Sequence, residues 1–269
     1  MKTAVRGLDL ATAKSLSQAL ELLRLDPRAP LAGTTDLYVE LNFGILKPRR
    51  FLDIWALDEL REISLRGDTL VIGALATFTA LIESPLVRTR LPMLVDASRL
   101  VGGIQIQNRG TLGGNIANAS PAGDSLPVLA AVDAVVVLKS VDTERRVPLT
   151  EFYTGYRQTV RRPDELIVAI EVPPVEGRQY FRKVGTRAAL AISKIVIAGV
   201  KRSVPSVAFG SVGPTVVRAR KTEAALAQND LETAVRILRT EIAPIDDLRS
   251  TAEYRQRVAG SLLRRFWST

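Results

Sequence analysis

Leu16, Leu20 and Leu23 recur at helical spacing near the start of the chain and share one face. Ser15 stands just before them with Gln18 three residues on, the pattern of a helix N-cap and its return partner. Two short apolar runs follow, "LAG" at 31–33 and "FLDI" at 51–54, and both predict buried strands. The first fifty-odd residues thus predict a small α/β unit.

The pattern then repeats with longer elements. Residues 68–77, "DTLVIGALAT", predict a strand entering a turn, with Thr77 capping the helix beyond it. Residues 85–103 have helical spacing at Leu86, Leu94 and Leu100 and stop at Gly102 and Gly103. Residues 126–138 predict a helical turn leading into a strand, and 165–174 alternate like a strand closed by two prolines. After Arg178 come strand-like runs with tight turns, then two basic amphipathic helices at 231–242 and 253–266. No internal repeat is visible, so the pattern predicts two α/β units followed by an α+β unit.

Composition narrows the chemistry. Neither cysteine nor histidine occurs among the 269 residues, which removes thiolate nucleophiles, disulfides, iron–sulfur ligation, most zinc sites and the commonest general base. Redox chemistry here requires a borrowed cofactor, and a flavin would be held without a covalent link to either side chain. The 37 basic residues exceed the 28 acidic ones, but they are scattered in short groups such as "KPRR" at 47–50 and "RARK" at 218–221. Five tyrosines and two tryptophans make a poor stacking platform, so an anionic cofactor and acidic partners are better uses of the charge than nucleic acid. No run approaches the roughly 20 apolar residues of a membrane span, and the N-terminus lacks the core of a signal peptide. The expected compartment is the cytoplasm.

Two small-residue loops hold the candidate chemistry. In "LAGTTDL" at 31–37, Gly33, Thr34 and Thr35 would let backbone amides and hydroxyls approach an anion, while Asp36 would fix the loop's shape. Taken alone this stretch reads as a plain turn more readily than as a ligand loop. In "RGTLGGNIANASPAGDSLP" at 109–127, Gly113 and Gly114 clear side chains from the backbone and could form an anion-binding nest. Thr111 and Ser120 add hydroxyls, Asn115 and Asn118 both donate and accept, and Asp124 is an acceptor for a sugar hydroxyl. Neither loop has the glycine spacing of a Rossmann fingerprint or a P-loop. Two separated loops on two units suggest a long ligand between them, and FAD has that shape.

"AGTTDL" followed by "NRGTLGGNIANASPAGDSLPVLAAVDA" resembles the FAD-binding medium subunit of the xanthine dehydrogenase and carbon monoxide dehydrogenase family of molybdenum hydroxylases. "FYTGYR", "PDELIVAIEVP", "YFRKVGTRAALAISK", "GSVGPTVVRA" and "YRQRVAGSLLRRF" fall where that family has similar segments, so the likeness spans nearly the whole chain. The resemblance implies an α+β protein with a two-part FAD-binding domain of the vanillyl-alcohol-oxidase type, at 1–55 and 56–174, and a C-terminal α+β domain at 175–269. It implies that Ala32, Gly33, Thr34, Thr35, Asp36 and Leu37 wrap the pyrophosphate of non-covalent FAD. Thr111, Leu112, Gly113, Gly114 and Asn115 would complete the cradle, with Asn118 beside it, Ser120 near the flavin side and Asp124 on a cofactor hydroxyl. Lys183 would lie near the cofactor and Ile167 would pack by the flavin ring. No catalytic or metal-binding residue is expected on this chain.

The same resemblance implies a division of labour. A large molybdopterin subunit would oxidise substrate, a small subunit with [2Fe-2S] clusters would relay electrons, and FAD on this chain would pass them to NAD+, oxygen or another acceptor. Many members of the family have "AGGTDL" where this chain has Thr34, and "TTH" where it has Ala76–Thr77–Phe78. A scaffold subunit that has lost flavin and a stand-alone FAD oxidase are the competing expectations.

Overall fold

The computed structural model describes residues 5–269, and three larger sheets and a two-stranded hairpin form along that chain. In the first, β1 (Asp9–Thr12), α1 (Leu16–Leu25), β2 (Ala29–Leu31), α2 (Thr35–Phe43) and β3 (Arg50–Asp53) alternate, and β3 pairs in parallel with β1 and β2. Parallel neighbours cannot be joined by a tight turn, so the helices supply the crossovers. Ser15 caps α1 by accepting the Gln18 amide at 3.2 Å, and Ala19, Leu20 and Leu23 form its buried face.

The second sheet is antiparallel, in the order β4 (Ile63–Arg66), β5 (Thr69–Gly73), β10 (Leu166–Val172), β6 (Val135–Lys139), β7 (Glu144–Pro148). Between β5 and β6 run α3 (Phe78–Glu83), α4 (Pro85–Arg90), α5 (Pro92–Arg99), α6 (Ile104–Arg109), α7 (Leu112–Asn118) and α8 (Ser125–Ala131). Thr77 caps α3 by accepting the Ala80 amide. The helical stretch expected over 85–103 is broken at Leu91, because Pro92 lacks an N–H and pushes the residue before it out of helical geometry. The stretch 109–127, expected as a loop, contains α7 and the start of α8. After β7, α9 (Leu149–Phe152) leads into a hairpin of β8 (Tyr153–Gly155) and β9 (Gln158–Thr159).

The third sheet, β11 (Arg178–Val184), β12 (Ile195–Lys201), β13 (Ser206–Gly210) and β14 (Val217–Arg218), is antiparallel. Against it pack α10 (Arg220–Ala227), α11 (Leu231–Glu241) and α12 (Ala252–Ser268), three helices where the sequence pattern predicts two. Gly199 of β12 leaves room for the ring of Phe266, which a Cβ there would meet at 2.9 Å.

Candidate cofactor site

A cleft of about 410 Å³ opens where the first parallel unit meets the helices of the second. That volume falls in the range of roughly 300–1,000 Å³ typical of ligand pockets. One wall is Ala32 to Leu37, the turn between β2 and α2, and the facing wall is Thr111, Gly113, Gly114, Asn115 and Asn118. Ile167 of β10 forms part of its floor, beside a break in the β10–β6 register. The two loops approach closely because Gly33 lacks a side chain: a Cβ there would run into the Arg109 carbonyl.

The amides of the two loops are used differently. On α7, the Leu112 N–H donates to the Ala76 carbonyl at 3.0 Å and the Gly113 N–H to the Ala74 carbonyl at 2.9 Å. The Gly114 N–H donates to the Thr111 hydroxyl at 3.0 Å, so the expected nest at Gly113–Gly114 is already filled by protein acceptors. Gly113 instead permits close packing, since a Cβ would lie 2.7 Å from Ala74. On α2 the situation is reversed. The N–H groups of Gly33, Thr34, Thr35, Asp36 and Leu37 have no acceptor among the described residues, and Thr34 does not cap the helix with its side chain. These five unpaired amides at a helix start, with the positive end of its dipole, make an anion site.

Thr34 reaches its place with φ 66° and ψ 1°, the left-handed region. At the rim, Arg157 donates to the Asn118 side-chain oxygen at 2.8 Å and lies 3.4 Å from Glu40. Crowding by protein raises the Asp36 pKa, against the pull of Arg157 and Asn118, and no loop amide bonds to it among the described residues. Arg157 was missed in the sequence because "FYTGYR" gives no sign that its hairpin folds back over α2 and α7.

Four of the expected residues stand apart from the cleft. Leu112 is wholly buried in the main core. Ser120 accepts the Ala122 amide within its own turn. Asp124 and Lys183 pair with each other at 2.6 Å. Lys183 borders a second cavity of about 280 Å³ with Leu100, Arg187 and Leu190, and Leu100 is the neighbour of Val101 in the main cleft. One oxygen of Asp124 is buried without a partner. Phe78 packs its ring beneath Gly110.

Residues 6–175 match the family described as the FAD binding domain in molybdopterin dehydrogenase, and residues 184–269 the CO dehydrogenase flavoprotein C-terminal domain. The chain belongs to the FAD-binding medium-subunit family of the molybdenum hydroxylases. It is 32% identical to the carbon monoxide dehydrogenase medium chain of Hydrogenophaga pseudoflava, over 94% of this chain and 93% of that one. It is 35% identical to a putative xanthine dehydrogenase FAD-binding subunit of Escherichia coli K12, over 90% and 89%. Among solved structures, a carbon monoxide dehydrogenase from H. pseudoflava that lacks the Mo-pyranopterin moiety superposes with a TM-score of 0.90 at 32% identity, covering 96% of this chain and 95% of that one. As in that family, the chain is an oxidoreductase subunit with an FAD-binding domain and a C-terminal domain. Its residues fit the cofactor: unpaired α2 amides for a pyrophosphate, glycines where two backbones converge, and an unsatisfied Asp124 oxygen for a hydroxyl donor. Among the described residues no helix is long and apolar enough to cross a membrane.

Proposed function

We propose that the chain binds FAD with the pyrophosphate on the α2 N-terminus and carries electrons from the [2Fe-2S] clusters of a partner subunit to a soluble acceptor such as NAD+ or oxygen. The observation that supports it best is the set of unpaired amides from Gly33 to Leu37 facing Gly114 and Asn115 across one cleft. FAD, when bound, supplies the interconversion of one- and two-electron steps, which no side chain of this chain can perform. The protein's own part is placement. Thr111 and the Asn115–Ser125 hydrogen bond at 2.6 Å hold α7 and α8 in register. Ile167 and Val101 give the cleft an apolar lining that excludes water from a ring system. The ribityl and flavin end would run past Val101 and Leu100 toward the cavity at Lys183, bringing the open Asp124 oxygen and the Lys183 ammonium to one end of the ligand.

This reading places Ala32 to Leu37, Gly114, Asn115 and Asn118 in direct contact with the cofactor. It gives Leu112 and Gly113 a packing role and Ser120 a turn-forming one. The units expected at 1–55, 56–174 and 175–269 would then each contribute: α2, the α7 wall with β10, and Lys183.

The test is the visible spectrum of the purified chain before and after acid precipitation. Flavin bands that move into the supernatant are expected, as the absence of histidine and cysteine requires a non-covalent link by those routes. A colourless chain that also fails to take up added FAD would sink the reading and favour a scaffold subunit. Co-purification with molybdenum and iron–sulfur subunits separates the electron-transfer role from a stand-alone oxidase.

A further inference from the structure

Arg161 lines the cleft together with Pro30, Ile54, Leu75 and Leu166. Its Nη1 donates to the carbonyls of Arg162 at 2.9 Å and Glu165 at 2.7 Å, while Nε and Nη2 have no partner among the described residues. No carboxylate pairs with it there. Glu165 is already committed to Arg145, through two bonds at 2.6 and 2.8 Å, and to the Arg162 amide at 2.7 Å. Burial draws the Arg161 pKa down, with Glu165 and Asp164 only partly offsetting it. A half-buried guanidinium without a counter-ion is costly, and its presence beside an open cleft asks for an occupant.

The occupant is indicated by what surrounds it. Ile54, Leu75 and Leu166 belong to one apolar cluster under the first sheet, whereas Val101 packs against the separate main core. With the phosphates on the α2 amides and the redox ring toward Val101, the wall at Arg161 is left for the other end of the dinucleotide. Two backbone carbonyls anchor one edge of the guanidinium, so its plane is fixed and its face is free to stack on a flat ring.

We propose that Arg161 selects the adenine end of the dinucleotide by stacking its guanidinium on the purine against the Ile54–Leu75–Leu166 wall. The inference rests on the FAD reading above and goes further, because it makes Arg161 the residue that distinguishes FAD from FMN. A lysine in its place would keep the charge but not the plane.

The test is titration of the full chain, stripped of flavin, with FAD and with FMN, comparing wild type, R161K and R161Q by flavin fluorescence. Both variants are expected to weaken FAD roughly two- to thirtyfold, the range from an exposed to a desolvated cation–π contact, and to leave FMN unchanged. If R161K retains full FAD affinity while R161Q loses it, Arg161 is a phosphate contact and the stacking assignment is overturned. Equal losses for FAD and FMN would make it a structural residue only, which also overturns it. Wild type binding FAD with both variants unaffected sinks this inference alone, whereas wild type binding neither flavin sinks the FAD reading on which it rests.

Discussion

Lys183 and Asp124, 59 residues apart, meet at 2.6 Å with side chains only 7% and 9% exposed, and the pair ties the third sheet to the start of α8. Lys183 also donates to the Leu100 carbonyl at 3.0 Å. Burial pushes Asp124 up to about 6 from an ordinary value of 3.8, although Lys183 pulls the other way. The folded carboxyl therefore holds its proton more tightly than the unfolded one, and this group's contribution to stability falls as pH rises from about 4 to about 6. D124N removes that titration, so the melting temperature of D124N minus that of wild type should increase with pH across the window. A difference that is flat in pH would show that the carboxyl does not titrate there. K183M strands a buried carboxylate and is expected to cost about 3–5 kcal/mol at neutral pH.

Thr34 has a backbone conformation that costs an L-residue roughly 1–2 kcal/mol, whereas glycine enters it freely at an entropic cost of roughly 0.5–1 kcal/mol. T34G should therefore raise stability by up to about 1.5 kcal/mol, the largest difference of those two terms. It should also leave FAD affinity equal or tighter, since the α2 amides become more accessible. A thermal melt of the flavin-free chain measures the first effect. A lower melting point would mean that the hydroxyl contributes more than the strain removes.

Gly33 makes the opposite prediction from a neighbouring position. Its φ is ordinary, but a Cβ would collide with the Arg109 carbonyl, which is backbone and cannot swing aside. G33A should cost about 3 kcal/mol, the upper part of the overpacking range, and should abolish FAD retention because the two loops must part. G7A, at a glycine with open space around it, is the control and should change neither quantity. Similar melting points for the two variants would mean that the loops stand farther apart than the Gly33–Arg109 approach requires.

The strongest periodic signals in the sequence survive in the structure: the Ser15 cap, the Thr77 cap and the β10 strand closed by Pro173 and Pro174. What failed has local physical causes. Pro92 splits a helix whose hydrophobic spacing runs straight through it. Gly113 and Gly114 look like a flexible nest, yet they lie in a helix whose amides are satisfied by Ala74 and Thr111. The first loop looked the weaker of the two in sequence and offers the unpaired amides, because only the fold shows which N–H groups find acceptors. Arg157 and Arg161 were invisible as site residues, since a scattered arginine acquires meaning only when a hairpin and a strand carry it to a cleft wall. Asp124 and Lys183 were singled out separately, and nothing in the sequence indicates that they would pair.

Glu165 gives the last prediction, because it supports Arg161 without touching the cleft. It is 1% exposed. Burial opposes its ionisation, but the Arg145 hydrogen bonds, the Arg162 amide and the charges of both arginines win, and its pKa is held below the ordinary 4.5. This stabilisation is present above the unfolded value and is lost as pH falls through the folded one, the reverse of the Asp124 case. R145M leaves the carboxylate buried with a single amide donor and should cost about 3–5 kcal/mol, whereas the double variant R145M/E165M should recover much of that loss. The Glu165 carbonyl also anchors Arg161, so R145M should weaken FAD more than FMN if the buried pair sets the position of that guanidinium. A double variant as unstable as R145M would show that the loss comes from repacking around β10, with no part played by the unpaired charge.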